Sequence, residues 1–235
     1  MHVFYAPEIS RTQCLPPDES YHAIKVLRLR HGELIHVVDG AGGFYEAQIN
    51  TEDSNSVSLN IIREQQNYGA RKFHLHLALA PTKNSDRFEY FLEKAVEIGI
   101  DEITPIECEH SERFKLRMDR LERIVVAAMK QSYKAFKPVI NPLTSFSSAI
   151  ENAQGIKGLA HCENIPRISI NKLLETFNSS ENKINLFIGP EGDFSQNEIK
   201  KAENLGFKGI ILGNSRLRTE TAGVVACFAV NYELD

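Results

Sequence analysis

From Phe73 onward, short apolar runs alternate with longer amphipathic ones, and this limits the folds open to the chain. Phe73–Ala80, Glu102–Glu107, Lys157–Cys162, Ile184–Ile188 and Gly209–Leu212 are short, apolar and bounded by polar residues, which reads as strands. Between them, Asn84–Ile98 places Phe88, Phe91, Leu92, Ala95 and Val96 at helical spacing. Met118–Phe136 does the same with Leu121, Ile124, Val125, Ala128 and Met129. Thr144–Glu151 reads as a short helix, and Ser195–Leu205 opens with Ser195-Gln196-Asn197-Glu198, a capping box. Thr219–Val230 is a terminal helix of small and apolar residues. Strand and helix in alternation predict a mostly parallel sheet with helices on both faces.

The first seventy residues follow a different pattern. Leu34–Val38, Phe44–Asn50 and Val57–Arg63 read as strands separated by turns, the first turn being Asp39-Gly40-Ala41-Gly42-Gly43. This is a β-meander, expected to form a small barrel. Tyr21–Leu29 before it is a short helix or turn with an exposed basic side. A polar stretch ending in Gly69-Ala70 places the boundary there, giving domains 1–70 and 71–235.

Composition narrows the class of protein. Hydrophobic residues at 42% and charged residues at 25% are ordinary for a soluble globular chain. The N-terminus lacks a basic segment followed by an apolar one, and the apolar runs are too short to span a bilayer, so a cytoplasmic protein is expected. Cys14, Cys108, Cys162 and Cys227 are scattered without a CxxC pair, which predicts buried or inert thiols and no metal site. The net charge of −4 argues against nonspecific coating of nucleic acid. Within Ser111–Lys137, however, eight basic residues stand against three acidic ones, a segment that either contacts phosphate or is a solvated helix face. His74, His76, His110 and His161 read as packing residues.

Two segments concentrate the chemistry. Gly189-Pro190-Glu191-Gly192-Asp193-Phe194-Ser195 follows one strand, and Leu212-Gly213-Asn214-Ser215-Arg216-Leu217-Arg218-Thr219-Glu220-Thr221-Ala222 follows another. Strand-to-helix turns of an open α/β sheet present backbone N–H groups to a ligand, and their glycines let it approach closely. Neither a dinucleotide fingerprint nor a P-loop is present. Either turn alone could be structural. Thr219 can cap the last helix, and Arg218 can neutralise an anion or form a surface ion pair.

With these turns, His22-Ala23-Ile24-Lys25-Val26-Leu27-Arg28-Leu29-Arg30-His31-Gly32-Glu33, Glu93-Lys94-Ala95-Val96-Glu97-Ile98-Gly99 and Gln131-Ser132 complete a set of motifs along nearly the whole chain. The chain resembles the uridine-N3 methyltransferases of ribosomal small-subunit RNA, within the SPOUT class of knotted methyltransferases. The resemblance implies an N-terminal PUA-like barrel and a C-terminal α/β domain threaded into a trefoil knot. It implies S-adenosylmethionine held by Ile188, Gly189, Pro190, Glu191, Gly192, Leu212, Gly213, Leu217, Thr219, Thr221 and Ala222. It implies 16S ribosomal RNA as partner, within the small subunit, and a homodimer. Arg218 would stabilise charge on a deprotonated uracil, and Glu191 and Glu220 would serve as base, orient Arg218 or cap a helix. Arg11, His22, Lys25, Arg28, Arg30, Arg113, Lys130, Gln131 and Lys134 would contact RNA. Two positions depart from the family: Asp193 stands where a second Gly is usual, and Lys130-Gln131 with Lys134 stands where Glu-Gln and a following Arg are usual. Two rival readings are a noncatalytic RNA-binding dimer with a degenerate knot and a small-molecule enzyme that binds phosphate at the two turns.

Overall fold

The structure is a computed structural model and describes residues 2–112, 116–178 and 182–234. Two compact units are resolved by their contacts. One holds the residues up to Ala70 together with Val126–Lys137, and the other holds Arg71–Val125 and Pro138–Asp235.

In the first unit, β1 (Val3–Tyr5), α1 (Ile9–Thr12) and α2 (Pro17–Tyr21) precede a π-helical turn at His22–Val26. Then come β2 (Leu34–Val38), β3 (Phe44–Ile49) and β4 (Leu59–Gln65). The last three strands form the expected antiparallel meander. β1 adds a parallel partner to β2, and its three residues are too few to register as a period in the sequence. Alternation sends Ile35, Val37, Tyr45, Ala47 and Ile49 into a core with Phe4, Ile9, Leu15 and Val57. The intervening residues face the other side of the sheet.

The second unit alternates as anticipated. It contains β5 (His74–Leu79), α3 (Ser85–Ile98), β6 (Glu102–Glu107), the start of α4 (Met118–Gln131), whose residues from Val126 belong to the first unit, β7 (Val139–Ile140) and β8 (Thr144–Ser145). There follow α5 (Phe146–Asn152), β9 (Ile156–Ala160), β10 (Ile168–Ser169) and α6 (Ile170–Leu174). The chain ends with β11 (Lys183–Ile188), α7 (Gln196–Asn204), β12 (Lys208–Ile211) and α8 (Thr219–Leu234). The strands run in the order β10-β12-β9-β11-β5-β6-β7, with β8 also on β6, and every pairing is parallel. Among the described residues, no helix is long and apolar enough to cross a membrane.

Local chemistry explains the helix ends. Asn84 caps α3 by accepting from the Asp86 N–H at 2.9 Å. The reading of Met118–Phe136 as one helix is corrected: α4 stops at Gln131. Tyr133 takes φ 57, and Tyr133 and Lys134 donate back to the carbonyls of Lys130 and Met129. That is a Schellman end with tyrosine at the left-handed position where glycine is usual, so the sequence carried no stop signal. Asn231 of α8 donates to the Gly99 carbonyl at the end of α3, and Arg71 donates to the same carbonyl at 2.8 Å. Gly223 lets α8 lie close on β5 and α3, because a Cβ there would meet Leu79 and Phe91 at 2.6 Å.

His76 is packed, as expected, and also hydrogen-bonded. Its ring nitrogens lie 2.8 Å from Asn185 Oδ1 and 2.7 Å from Thr104 Oγ1. Burial lowers its pKa, as it does for His36 and His161. An unfolded chain therefore takes up protons at these sites that the folded chain refuses, and stability falls as pH drops below about 6.5 toward the lowered folded values. Thermal midpoints measured from pH 8 to 5 should be flat at the upper end and decline below that point. His76→Gln should decline less steeply than the wild type over the same window.

Candidate functional site

Three neighbouring parallel strands end together. Ile188 at the end of β11 lies opposite Ala160 at the end of β9, and Ala160 lies opposite Ile210 of β12. The chain beyond each strand surrounds a cavity of about 310 Å³, within the range usual for small-ligand sites. It sits at the carboxyl ends of the strands, where open α/β sheets bind ligands.

The two turns picked out in the sequence form two walls of this cavity. Ile188, Gly189, Pro190 and Glu191 line it from the first, and Leu212, Gly213, Leu217, Arg218, Thr219 and Ala222 from the second. Gly192, Glu220 and Thr221 are not among its lining residues. A buried bond joins the walls: the Thr219 hydroxyl donates to the Gly189 carbonyl at 3.0 Å. Thr219 is thus the first residue of α8, and its side chain reaches across to the other turn. Gly213 has φ 146, a backbone that other residues rarely adopt.

Asp193 takes a left-handed backbone, with φ 62, a conformation that favours glycine. Its carboxylate accepts from the Phe194 N–H at 2.8 Å and from the Cys162 N–H at 2.6 Å. The second bond ties the first turn to the chain beyond β9, which glycine could not do. His110 donates from Nδ1 to the carbonyls of Gly192 and Asp193 at 3.1 and 3.0 Å. The predicted capping box is present: Glu198 accepts from the Ser195 N–H at 2.8 Å, and its other oxygen accepts from the Glu109 N–H at 2.9 Å. The first turn is therefore held from both sides before any ligand arrives.

The charged residues separate by position. Arg218 is exposed on the cavity wall and makes no side-chain hydrogen bond or ion pair among the described residues. Glu191 is exposed, with Oε1 accepting from the Lys83 N–H at 3.3 Å. Glu220 is buried, with Oε1 3.9 Å from Arg87 Nε and Oε2 unpartnered among the described residues.

Sequence reasoning missed the third wall. His161, Cys162 and Arg167 line the cavity. His161 is only 5% exposed, and both ring nitrogens lack partners among the described residues. Packing describes its burial but not these two unanswered polar atoms. Cys162 is exposed rather than buried. Which strand lies beside which is a tertiary fact, so nothing local could have placed 160–162 beside the two turns.

Of the residues expected to contact RNA, His22, Lys25 and Arg28 are exposed around the π-helical turn. Arg11 pairs with Glu8 at 2.8 Å and Arg30 with Glu52 at 2.9 Å, both exposed. Lys130 is held by Glu19 at 2.6 Å, and Gln131 is exposed. Lys134 is half-buried, and Arg113 lies outside the described residues. Much of the apparent positive charge is thus neutralised locally, since Arg120 and Arg123 also pair, with Glu89 and Asp119.

Thr219→Val keeps the shape and removes the donor, leaving a buried carbonyl unanswered. It should lower unfolding free energy by ~1–3 kcal/mol, measured by urea titration. An unchanged midpoint would mean that the walls are joined by other contacts.

The RNA methyltransferase domain family matches residues 70–231, and the RNA methyltransferase PUA domain family matches residues 15–62. The ribosomal RNA small subunit methyltransferase E of Synechocystis is 30% identical over 98% of this chain and 77% of its own length. The crystal structure of a probable rRNA-methyltransferase from Porphyromonas gingivalis superposes with a TM-score of 0.90 at 38% identity, covering 100% of this chain and 98% of that one. A ribosomal RNA small subunit methyltransferase E from Neisseria gonorrhoeae, crystallised with S-adenosyl methionine, gives 0.84 at 27% identity over 99% and 97%. A parallel α/β sheet whose strand ends enclose two paired turns, preceded by a small PUA-like unit, places the chain in the ribosomal RNA small subunit methyltransferase E family.

Proposed function

We propose that this protein transfers a methyl group from S-adenosylmethionine to N3 of a uridine in 16S ribosomal RNA of the small subunit. The observation that carries the reading is the cavity between the two turns, with its buried Thr219–Gly189 bond and an exposed Arg218 at its wall. The residues present fit the cofactor. Apolar Ile188, Leu212 and Leu217 suit a flat heterocycle, and backbone groups of the turns suit its polar edges. His161 offers two buried, unanswered nitrogens to a polar ligand. When bound, S-adenosylmethionine supplies a methyl group on a positively charged sulfur.

The chain's own residues supply positioning and charge. A uracil presented for reaction at N3 must leave its stack and its pairing. Loss of the N3 proton spreads negative charge onto the flanking carbonyl oxygens, and Arg218 stands on the wall to balance it. Glu191, exposed on the wall formed by the first turn, is the carboxylate placed to take the proton. Glu220 faces Arg87 instead and acts by setting the start of α8. His22, Lys25 and Arg28 remain open to RNA phosphates.

The homodimer belongs to the same proposal. Phe228 and Tyr232 stack on the exposed side of α8, 5.6 Å apart and 55% and 75% exposed, an apolar face of the kind that copies of a chain bury against each other. Phe228→Asp should shift the protein from dimer to monomer in sedimentation velocity, and an unchanged sedimentation coefficient would place the interface elsewhere.

Arg218→Ala should reduce methyl transfer to small-subunit RNA by roughly 10²–10³-fold, as when one preorganised charge partner is lost. Calorimetry on the same variant should show cofactor affinity within a few-fold of wild type. Full activity in the variant would remove Arg218 from the mechanism. Failure of the wild type to bind cofactor would favour the noncatalytic RNA-binding reading.

A further inference from the structure

The sheet of the first unit carries a second cavity, of about 330 Å³, that the methyl-transfer mechanism does not use. It lies on the side of β2, β3 and β4 away from the core. Register explains its lining: His36 lies opposite Glu46, Phe44 opposite Gln65 and Glu46 opposite Arg63, while Ile35, Val37, Tyr45 and Ala47 between them on β2 and β3 fill the interior. Tyr68 and Tyr133 complete it.

The lining is aromatic with a polar rim. Phe44 stacks on Tyr68 with centroids 4.4 Å apart, and His36 lies 4.9 Å from Phe44 and 6.1 Å from Tyr133. Arg63 approaches Glu46 only at 3.7 Å, and Gln65 is exposed beside them. His36 Nδ1 is buried and unpartnered among the described residues.

Tyr133 adds an independent observation. It occupies the left-handed position of the Schellman end of α4, at φ 57, and is the one aromatic residue among the described non-glycine residues with positive φ. A bulky side chain there is strained, and such strain persists where the side chain is used. Tyr133 is 40% exposed and lines the cavity.

We propose that this cavity binds one unpaired nucleobase of the RNA, stacked against the rings of Tyr133, Phe44 and Tyr68, with Gln65, Arg63 and Glu46 at its hydrogen-bonding edge. The proposal rests on the reading of the chain as acting on ribosomal RNA. A heterocycle satisfies both halves of the lining, its face meeting the rings and its edge offering donors and acceptors together. A lone phosphate fits badly, because Glu46 would repel it and the rings offer it nothing. A duplex hides the faces that the rings would stack on.

Tyr133→Gly tests this without risking the fold, because glycine relieves the strained backbone and should leave the thermal midpoint equal or higher. Fluorescence anisotropy with a short unpaired RNA of mixed sequence should show affinity reduced by about tenfold or more, the scale of one lost stacking contact. Affinity for a blunt RNA duplex should stay within about twofold, and S-adenosylmethionine binding by calorimetry should not change. Unpaired-RNA affinity within about twofold of wild type, or an equal loss on duplex, would overturn the base pocket. If the variant fails that way while wild type binds both cofactor and RNA, only the pocket falls. If wild type binds neither, the methyltransferase reading falls and the pocket with it.

Discussion

One buried hydrogen bond organises the site. The Thr219 hydroxyl reaches the Gly189 carbonyl and joins two turns that the sequence separates by thirty positions. The bond is possible because β12, β9 and β11 are adjacent, parallel and end level with one another. Each strand therefore delivers its following loop to the same place. The cavity is a consequence of strand order, and the glycines and small residues of the turns keep its walls thin.

The walls are fixed in advance of binding. Asp193 takes a glycine-like conformation and uses its carboxylate to reach the chain beyond β9, while His110 grips the same turn from the other side. Glu198 closes the cap of α7 and also holds Glu109. Arg216 and Arg218 are both exposed on the cavity wall with no side-chain hydrogen bond or ion pair among the described residues. The N-terminal sheet differs in presenting side chains on its outer face.

Legibility in the sequence followed the range of each interaction. The alternation after Phe73, the meander of β2 to β4, the Ser195 cap and two of the cavity's walls were readable, since each depends on residues close in the chain. The end of α4 was not, because Tyr133 stands where a glycine would have announced the stop. His161 read as packing, and its unanswered nitrogens became visible only with β9 placed between β11 and β12. Nor could charge counting reveal that Lys130 and Arg120 are already paired. Asp193 looked like a departure from the family; in the fold it keeps the turn and adds a tether.

The central claim is that the paired turns and the end of β9 form one S-adenosylmethionine pocket. Following the imidazole resonances by NMR while S-adenosylmethionine is added tests both occupancy and place. A saturable shift of the His161 signals is expected, with those of His36 and His76 unmoved. Saturable binding that leaves His161 undisturbed, or no binding at all, would contradict it.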